Sequence, residues 1–213
     1  MRVLAIGSHP DDIELGCGGT LLQLDKAESE IFFLVLSHGE AGGDAGIRDK
    51  EQGDACSMCN VKDLIWGNYR DAQIRDTSKL IAYVYGIIGD VRPDLIFSHY
   101  FDDTHQDHRN VGLATAAASS FKQNLMFYEG PTSHDFHPRA FTDIRASFTK
   151  KVEMVKKHNS QVIRFDEPHR AGLLDFVHET AAFRGKQASM QLAEGFIPHS
   201  LRGTDVLQWL SSR

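Results

Sequence analysis

Cysteine, proline and tryptophan are all scarce in this 213-residue chain, which has three, six and two of them. Three cysteines cannot form a complete set of disulfides, which excludes the disulfide-rich secreted class. Cys56 and Cys59 form a single Cys-x-x-Cys pair. Without a second pair this spacing is not typical of a structural zinc site, so we interpret both residues as part of a helix packed against the core.

Long apolar runs and an excess of basic residues are also missing. No apolar run reaches the roughly 20 residues that a membrane span needs. Lys and Arg total 23 against 29 Asp and Glu, giving a formal net charge of -6, which disfavours binding to nucleic acid through a basic face. The first residues enter a strand-like pattern without the features of a signal peptide. We therefore expect a cytoplasmic protein with no membrane span and no nucleic-acid partner.

The composition is that of a globular protein, with 41% hydrophobic and 24% charged residues. Short apolar runs alternate with helical patterns in the first two thirds of the chain. The predicted strands are Val3–Gly7, Ile31–Leu36, Leu64–Trp66, Leu95–Phe97 and Leu125–Tyr128. The predicted helices between them are Gly19–Lys26, Ile47–Asn60, Ser78–Val91 and Asp107–Lys122. Because each crossover is long enough for a parallel connection, we predict an α/β fold with a mostly parallel sheet between two helical layers.

The pattern changes after residue 130. We predict an edge strand over Ala140–Ile144, a helix over Thr149–Lys157 and a second helix from Glu167 or Pro168 to Leu192. A last strand or helix is predicted over Thr204–Leu210. No repeat or low-complexity linker interrupts the chain. We expect one domain over residues 1–213, with a Rossmann-like core (1–130) and a C-terminal elaboration (131–213).

The polar segment His9-Pro10-Asp11-Asp12 directly follows the first predicted strand. The carboxyl ends of strands are where open α/β sheets bind their ligands. His9 and Asp12 can both reach one divalent metal ion, while Asp11 stays free to act as a base. A solvated loop in which Asp11 or Asp12 caps the next helix is the alternative. Glycines at 16, 18 and 19 predict a tight turn close to a ligand.

A second polar cluster follows the strand at Leu95–Phe97. It contains His99, Asp102, Asp103, His105, Asp107 and His108. Such groups are costly to bury without partners, so two clusters at neighbouring strand ends indicate a metal site with an open position for water. Two imidazoles and a carboxylate favour Zn²⁺, although Fe²⁺, Co²⁺ or Mn²⁺ could bind the same set. Asp11 would accept the water's proton, and His105, paired with Asp107, would polarise a carbonyl or protonate a leaving amine.

These motifs resemble those of the PIG-L/LmbE-like family of zinc-dependent N-deacetylases. The first continues with Glu14 and Gly16-x-Gly18-Gly19-Thr20, and the second is His105-x-Asp107-His108 at the start of a helix. Further similarities are Gly39-Glu40, Arg48-x-x-Glu51, Asp71, Lys151-x-x-x-Val155-x-x-His158-x-Ser160-Gln161 and Glu194-Gly195-Phe196. The chain departs from the family pattern at Ile13, which precedes Glu14, and at Gln106, where the family often has proline.

The resemblance implies a role for each matching residue. The implied roles are zinc ligand for His9, Asp12 and His108, general base for Asp11, charge stabilisation for His105 with Asp107, and substrate contact for Arg48 and Asp71. It also implies a Rossmann-like fold, a homo-oligomer, and removal of an acetyl or other acyl group from an amino sugar such as an N-acetylglucosamine derivative. Three alternatives stay open: an amidase for a thiol- or glycan-conjugate, a metal-binding protein without catalysis, and a dinucleotide-binding module.

Overall fold

The computed structural model of the protein describes residues 1–119, 123–166 and 171–201. The strands are β1 (Arg2–Gly7), β2 (Glu30–Ser37), β3 (Asp63–Tyr69), β4 (Leu95–His99), β5 (Asn124–Tyr128), β6 (Ala140–Asp143) and β7 (Ala193–Ser200). The helices are α1 (Asp12–Lys26), α2 (Ala45–Ser57), α3 (Ser78–Val91), α4 (Gln106–Ser119), α5 (Phe148–Val155), α6 (Asn159–Phe165) and α7 (Leu173–Gln187). None of these helices is long and apolar enough to cross a membrane.

The strands form one sheet in the order β3-β2-β1-β4-β5-β7-β6. The first five are parallel, and β7 is antiparallel to both of its neighbours. Val3 of β1 pairs with Ile31 of β2 on one side and with Leu95 of β4 on the other. The chain order therefore reverses at the β1–β4 junction, which is where open α/β sheets form their ligand crevice.

Alternating residues of the central strands face two helical layers. Val3 and Ala5 of β1 belong to a core cluster with residues of α1, α2 and α5, whereas Leu4 and Ile6 belong to a second cluster with residues of α3 and α4. A parallel strand covered on both faces has to be apolar throughout, as β1 is. The predicted mostly parallel α/β sandwich with a C-terminal elaboration is confirmed, while the division of the chain at residue 130 stays a prediction.

The predicted glycine turn is wrong, because α1 begins at Asp12 and contains all of these glycines. A methyl group at Gly16 would lie only 2.1 Å from the ring of Tyr128, so glycine here permits close packing of α1 on β5. Cys17 likewise lies within α1 and is buried, and burial raises the pKa of its thiol. The dinucleotide-binding alternative thereby loses the glycine turn on which it rested.

The C-terminal part differs most from the prediction. Of the helix expected from residue 167 or 168 to Leu192, residues 167–170 lie outside the described residues, and α7 covers Leu173–Gln187 of the rest. The sequence pattern does not predict α6 or β7. Proline and glycine are weak strand formers, yet β7 contains Gly195 and Pro198. Its pairing with β5 and β6 supplies what local propensity lacks. The edge strand β6 is confirmed, and Thr204–Leu210 lies outside the described residues.

Glu194 of β7 anchors α1 and α5 to the sheet. Its carboxylate accepts the backbone N–H groups of Gly19 and Thr20, both at 2.8 Å, and the Thr20 hydroxyl at 2.6 Å. Lys151 Nζ of α5 donates to the same carboxylate at 2.6 Å and to the Leu15 carbonyl at 2.8 Å. Both charged side chains are buried, so each depends on the other for compensation.

Replacing Glu194 with alanine is expected to lower the free energy of unfolding by about 3–5 kcal/mol. Lys151 would remain buried without its counter-charge, and two backbone N–H groups would lose their acceptor. Urea denaturation measures the change. Glu153→Ala is the matched control, because Glu153 forms an exposed pair with Lys156 on the same helix, where little change is expected. Equal shifts in the two variants would contradict the anchoring role.

Candidate metal centre and active site

Asp12 is the first residue of α1, and its carboxylate is fixed by the backbone that precedes it. Oδ2 accepts the N–H groups of Ser8 at 3.0 Å and His9 at 2.7 Å. Oδ1 lies 3.2 Å from His108 Nε2. Burial by itself would raise the pKa of Asp12, but the neighbouring His108 and His99 hold it well below its usual range. Asp12 is therefore an anionic donor with a preset orientation.

His9, Asp12 and His108 present donor atoms at the corners of a small triangle. His9 Nδ1 lies 3.4 Å from Asp12 Oδ2 and 3.3 Å from His108 Nε2, and His108 Nε2 lies 3.2 Å from Asp12 Oδ1. Tetrahedral zinc with ligand distances of 2.0–2.1 Å spaces its donors about 3.3 Å apart. All three residues are buried. These spacings would allow the three residues to hold one metal ion, and their role as zinc ligands stays a prediction.

The outer nitrogen of each histidine in the triangle faces a carboxylate. His9 Nε2 lies 2.9 Å from Asp71 Oδ1, and His108 Nδ1 lies 3.4 Å from Asp103 Oδ2. Histidines that bind metals usually donate their second N–H to such a group, which fixes the ring and the tautomer. Asp103 lies in the second sequence cluster, but its pairing with His108 depends on how the loop before α4 folds, which the sequence pattern does not reveal.

His99 also lies near the triangle, and Asp12, His99 and His108 form an alternative group of possible ligands. Its Nε2 is, however, 3.0 Å from the Ser8 N–H, which donates toward it, and the residue is almost completely buried. Burial and the adjacent His108 lower the pKa of His99 to about 4. The same Nε2 lies 3.1 Å from Asp12 Oδ2, so the His99 ring packs directly against the carboxylate of Asp12 and helps to hold it in place.

His105 is half-buried beside the triangle, with its ring centroid 4.9 Å from that of His9. Its Nδ1 accepts the Asp107 backbone N–H at 3.2 Å, so the neutral ring carries its proton on Nε2. Burial and the nearby His108 and His9 lower the pKa of this imidazole. His105 therefore presents a neutral N–H donor at the edge of the site.

The expected pairing of the Asp107 carboxylate with the ring of His105 is wrong. The Asp107 carboxylate accepts the N–H groups of Ala72 at 2.7 Å and Ile74 at 3.1 Å, and it lies 3.3 Å from His9 Nε2. The first turn of α4 directs this side chain toward the loop after β3. Asp107 thus links that loop to His9, and only its backbone contacts the His105 ring.

Asp11 precedes α1 and adopts φ = 104°, a conformation that is rare for residues other than glycine. One carboxylate oxygen lies 3.3 Å from an Arg48 guanidinium nitrogen. Burial raises the pKa of Asp11 to about 6, although the Arg48 charge opposes this shift. Asp11 is in none of the groups of possible metal ligands among the described residues, and its role as a base with a free carboxylate stays a prediction.

Arg48 and Asp71, the predicted substrate contacts, bind other residues of the site. Arg48 donates to the carbonyls of Gly39 at 2.8 Å and Pro10 at 2.6 Å. Asp71 accepts the Ala41 N–H at 2.9 Å and pairs with His9 as described. Both side chains are nearly completely buried. They therefore help to shape the site, and direct contact of either with a substrate stays a prediction.

Comparison with known proteins identifies the family. The model of the PIG-L family, described as GlcNAc-PI de-N-acetylase, matches residues 4–119, which is more than half of the chain and includes both polar clusters. The chain is 32% identical over 167 residues to the uncharacterized deacetylase YaiS of Escherichia coli K12, covering 74% of this chain and 90% of that protein. It is 25% identical to the diacetylchitobiose deacetylase of Thermococcus kodakarensis, covering 92% and 83%.

The fold alone does not identify the reaction. The 4-carboxy-2-hydroxymuconate hydratase of Pseudomonas putida KT2440 superimposes with a TM-score of 0.80 over 96% of this chain and 98% of its own, at 18% identity. A shared fold can carry unrelated chemistry, so sequence similarity across the two site motifs decides the assignment. On that evidence, this chain belongs to the PIG-L family of GlcNAc-PI de-N-acetylases.

Proposed function

We propose that this protein is a zinc-dependent deacetylase that hydrolyses the acetamide of an N-acetylated amino sugar. The observation that carries the proposal is the donor triangle of His9, Asp12 and His108, with a carboxylate behind each histidine. Family membership supports a deacetylase, and the name of the Thermococcus kodakarensis relative supports a sugar substrate.

Zinc is favoured by the chemistry of the donors. Two imidazole nitrogens and one carboxylate oxygen suit Zn²⁺, and three protein ligands leave a position open, as in catalytic zinc sites. When bound, zinc supplies a Lewis acid that polarises the acetamide carbonyl and makes water more acidic. The His9 and His108 rings are already oriented by Asp71 and Asp103, so binding needs little rearrangement.

In this proposal Asp11 is the general base. Its carboxylate takes a proton from water as the oxygen of that water bonds to the acetamide carbon. The C–N bond then breaks, the proton passes to the leaving amine, and acetate and the free amino sugar are released. The contact with Arg48 restricts where the Asp11 carboxylate can lie. This favours proton transfer from a water molecule held in one orientation.

His105 stabilises the oxyanion that forms on the carbonyl oxygen. Its Nε2–H is a suitable donor, because Nδ1 is occupied by the Asp107 N–H. The depressed pKa of His105 keeps the ring neutral, which supports electrostatic stabilisation over proton donation to the amine. Of the two roles that the sequence left open for His105, this proposal therefore adopts stabilisation of the oxyanion.

The proposal also covers the residues that contact the substrate, the oligomeric state of the protein and its location in the cell. Arg48 and Asp71 remain the predicted substrate contacts. We expect a homo-oligomer in the cytoplasm. Size-exclusion chromatography with light scattering measures the oligomeric state directly.

Acetate release tests the proposed function. The zinc-loaded protein is expected to release acetate from a panel of N-acetylated amino sugars that includes diacetylchitobiose. Release should stop when the metal is removed with a chelator and return when Zn²⁺ is added. N-acylated thiol conjugates belong in the same panel, since hydrolysis of these alone would establish the amidase alternative. A protein that binds zinc but cleaves no amide in the panel would contradict the deacetylase proposal.

A further inference from the structure

The buried face of α2 is unusually polar for a helix packed on a sheet. Arg48 and Gln52 lie one turn apart on this face, with 4% and 0% of their surfaces exposed, and only Ala55 and Cys56 add apolar contacts. A helix normally buries an apolar stripe, because polar groups are costly to bury unless they are hydrogen-bonded. The partners of these two side chains therefore explain why the face is polar.

Gln52 links the backbone of Asp11 to a buried carboxylate. Its Oε1 accepts the Asp11 N–H at 3.3 Å, and its Nε2 donates to Glu14 Oε1 at 2.6 Å. The amide orientation is unambiguous, because an N–H needs an acceptor and a carboxylate needs a donor. Glu14 is completely buried, and its other oxygen lies 3.5 Å from His158 Nε2. Gln52 is thus held firmly at both ends.

Arg48 restrains the same segment from a second direction. Its guanidinium donates to the Pro10 carbonyl at 2.6 Å and contacts the Asp11 carboxylate at 3.3 Å. Gln52 therefore binds the Asp11 N–H, whereas Arg48 binds the Asp11 carboxylate and the carbonyl of the preceding residue, Pro10. A non-glycine residue with φ = 104° persists only when its surroundings impose that conformation. The buried face of α2 supplies that restraint.

We propose that Gln52 is a positioning residue that, with Arg48 and Glu14, holds Asp11 in its positive-φ conformation and so directs the Asp11 carboxylate into the active site. The inference rests on the proposed function only in taking Asp11 as the general base. Gln52 itself touches neither the donor triangle nor, in this proposal, the substrate. In this proposal the effect of Gln52 on turnover therefore passes through Asp11.

Gln52→Met removes both hydrogen bonds with little change in side-chain length. We expect kcat to fall about 10- to 100-fold, with KM changed less than about 3-fold and zinc content unchanged. In an Asp11→Asn background the same substitution should leave the residual kcat unchanged, since the base through which Gln52 acts is already absent. Independent losses that multiply in the double variant would overturn the proposal, as would a rise in KM without loss of kcat.

A crystal structure of the Gln52→Met variant tests the inference without any substrate. We expect the Asp11 φ to leave the positive region or its carboxylate to turn away from the pocket. If Asp11 of the variant superimposes on Asp11 of the unsubstituted protein, the proposal is overturned even if turnover falls. Lys50→Met on the same helix is the control, because the Lys50 side chain is exposed and pairs with Asp54, and the substitution should change neither kcat nor the conformation of Asp11. If the unsubstituted protein cleaves no amide, the proposed function fails, while this structural comparison still decides the positioning role.

Discussion

Replacing Asp11 with asparagine is expected to lower kcat by about three orders of magnitude while the protein keeps its zinc. Asparagine preserves the shape of the side chain and the backbone N–H that Gln52 accepts, but it cannot take a proton from water. General base catalysis typically contributes 10²- to 10⁴-fold, so the expected loss lies in the middle of that range. Acetate release under saturating substrate measures the change, and elemental analysis gives the zinc content.

The control for this variant must separate loss of the base from damage to the site. Arg48 contacts Asp11, so the asparagine side chain could also disturb α2. An unchanged thermal unfolding midpoint and an unchanged zinc content together exclude such damage. If the Asp11→Asn variant retained more than about a tenth of the turnover, the assignment of Asp11 as general base would be wrong.

Replacing Asp12 with alanine is expected to abolish stoichiometric zinc binding and, with it, measurable turnover. The substitution removes the anionic member of the donor triangle and the acceptor of the Ser8 and His9 N–H groups. Metal binding by the remaining two imidazoles would be weak, because a catalytic zinc site requires three protein ligands. Elemental analysis and zinc titration of the purified variant measure the loss.

Two further variants show whether the Asp12 result reports on the metal or on the fold. His108→Ala removes a different ligand without touching the Asp12 backbone contacts, and it should lose zinc equally. Asp103→Asn keeps all three residues of the donor triangle and changes the group behind His108, a carboxylate that also accepts the His105 N–H and the Thr132 hydroxyl. Zinc affinity should therefore fall about 10- to 100-fold without being lost. Full zinc binding by both Asp12→Ala and His108→Ala would show that the ligands are elsewhere.

The sequence alone determined the central strands and the order of layers. The apolar run at Val3–Gly7 is readable because a parallel strand buried on both faces has no polar positions within it. Polar residues directly after β1 and β4 predict a functional site, because the carboxyl ends of neighbouring parallel strands meet at one edge of the sheet. These features depend on short stretches of chain, where composition and periodicity carry the information.

Only the tertiary structure decided how the site residues pair. Asp107 faces His9 and not His105, and Asp103 stands behind His108, because loops from three strand ends meet there. The same is true of β7, whose glycine and proline disfavour a strand until β5 and β6 provide its hydrogen bonds. Glycines that predicted a turn instead lie inside α1, since the ring of Tyr128 leaves no space for a side chain at Gly16. The contacts of Asp107 with His9 and of Tyr128 with Gly16 join residues that lie about a hundred positions apart, and local sequence patterns carry no information about such contacts.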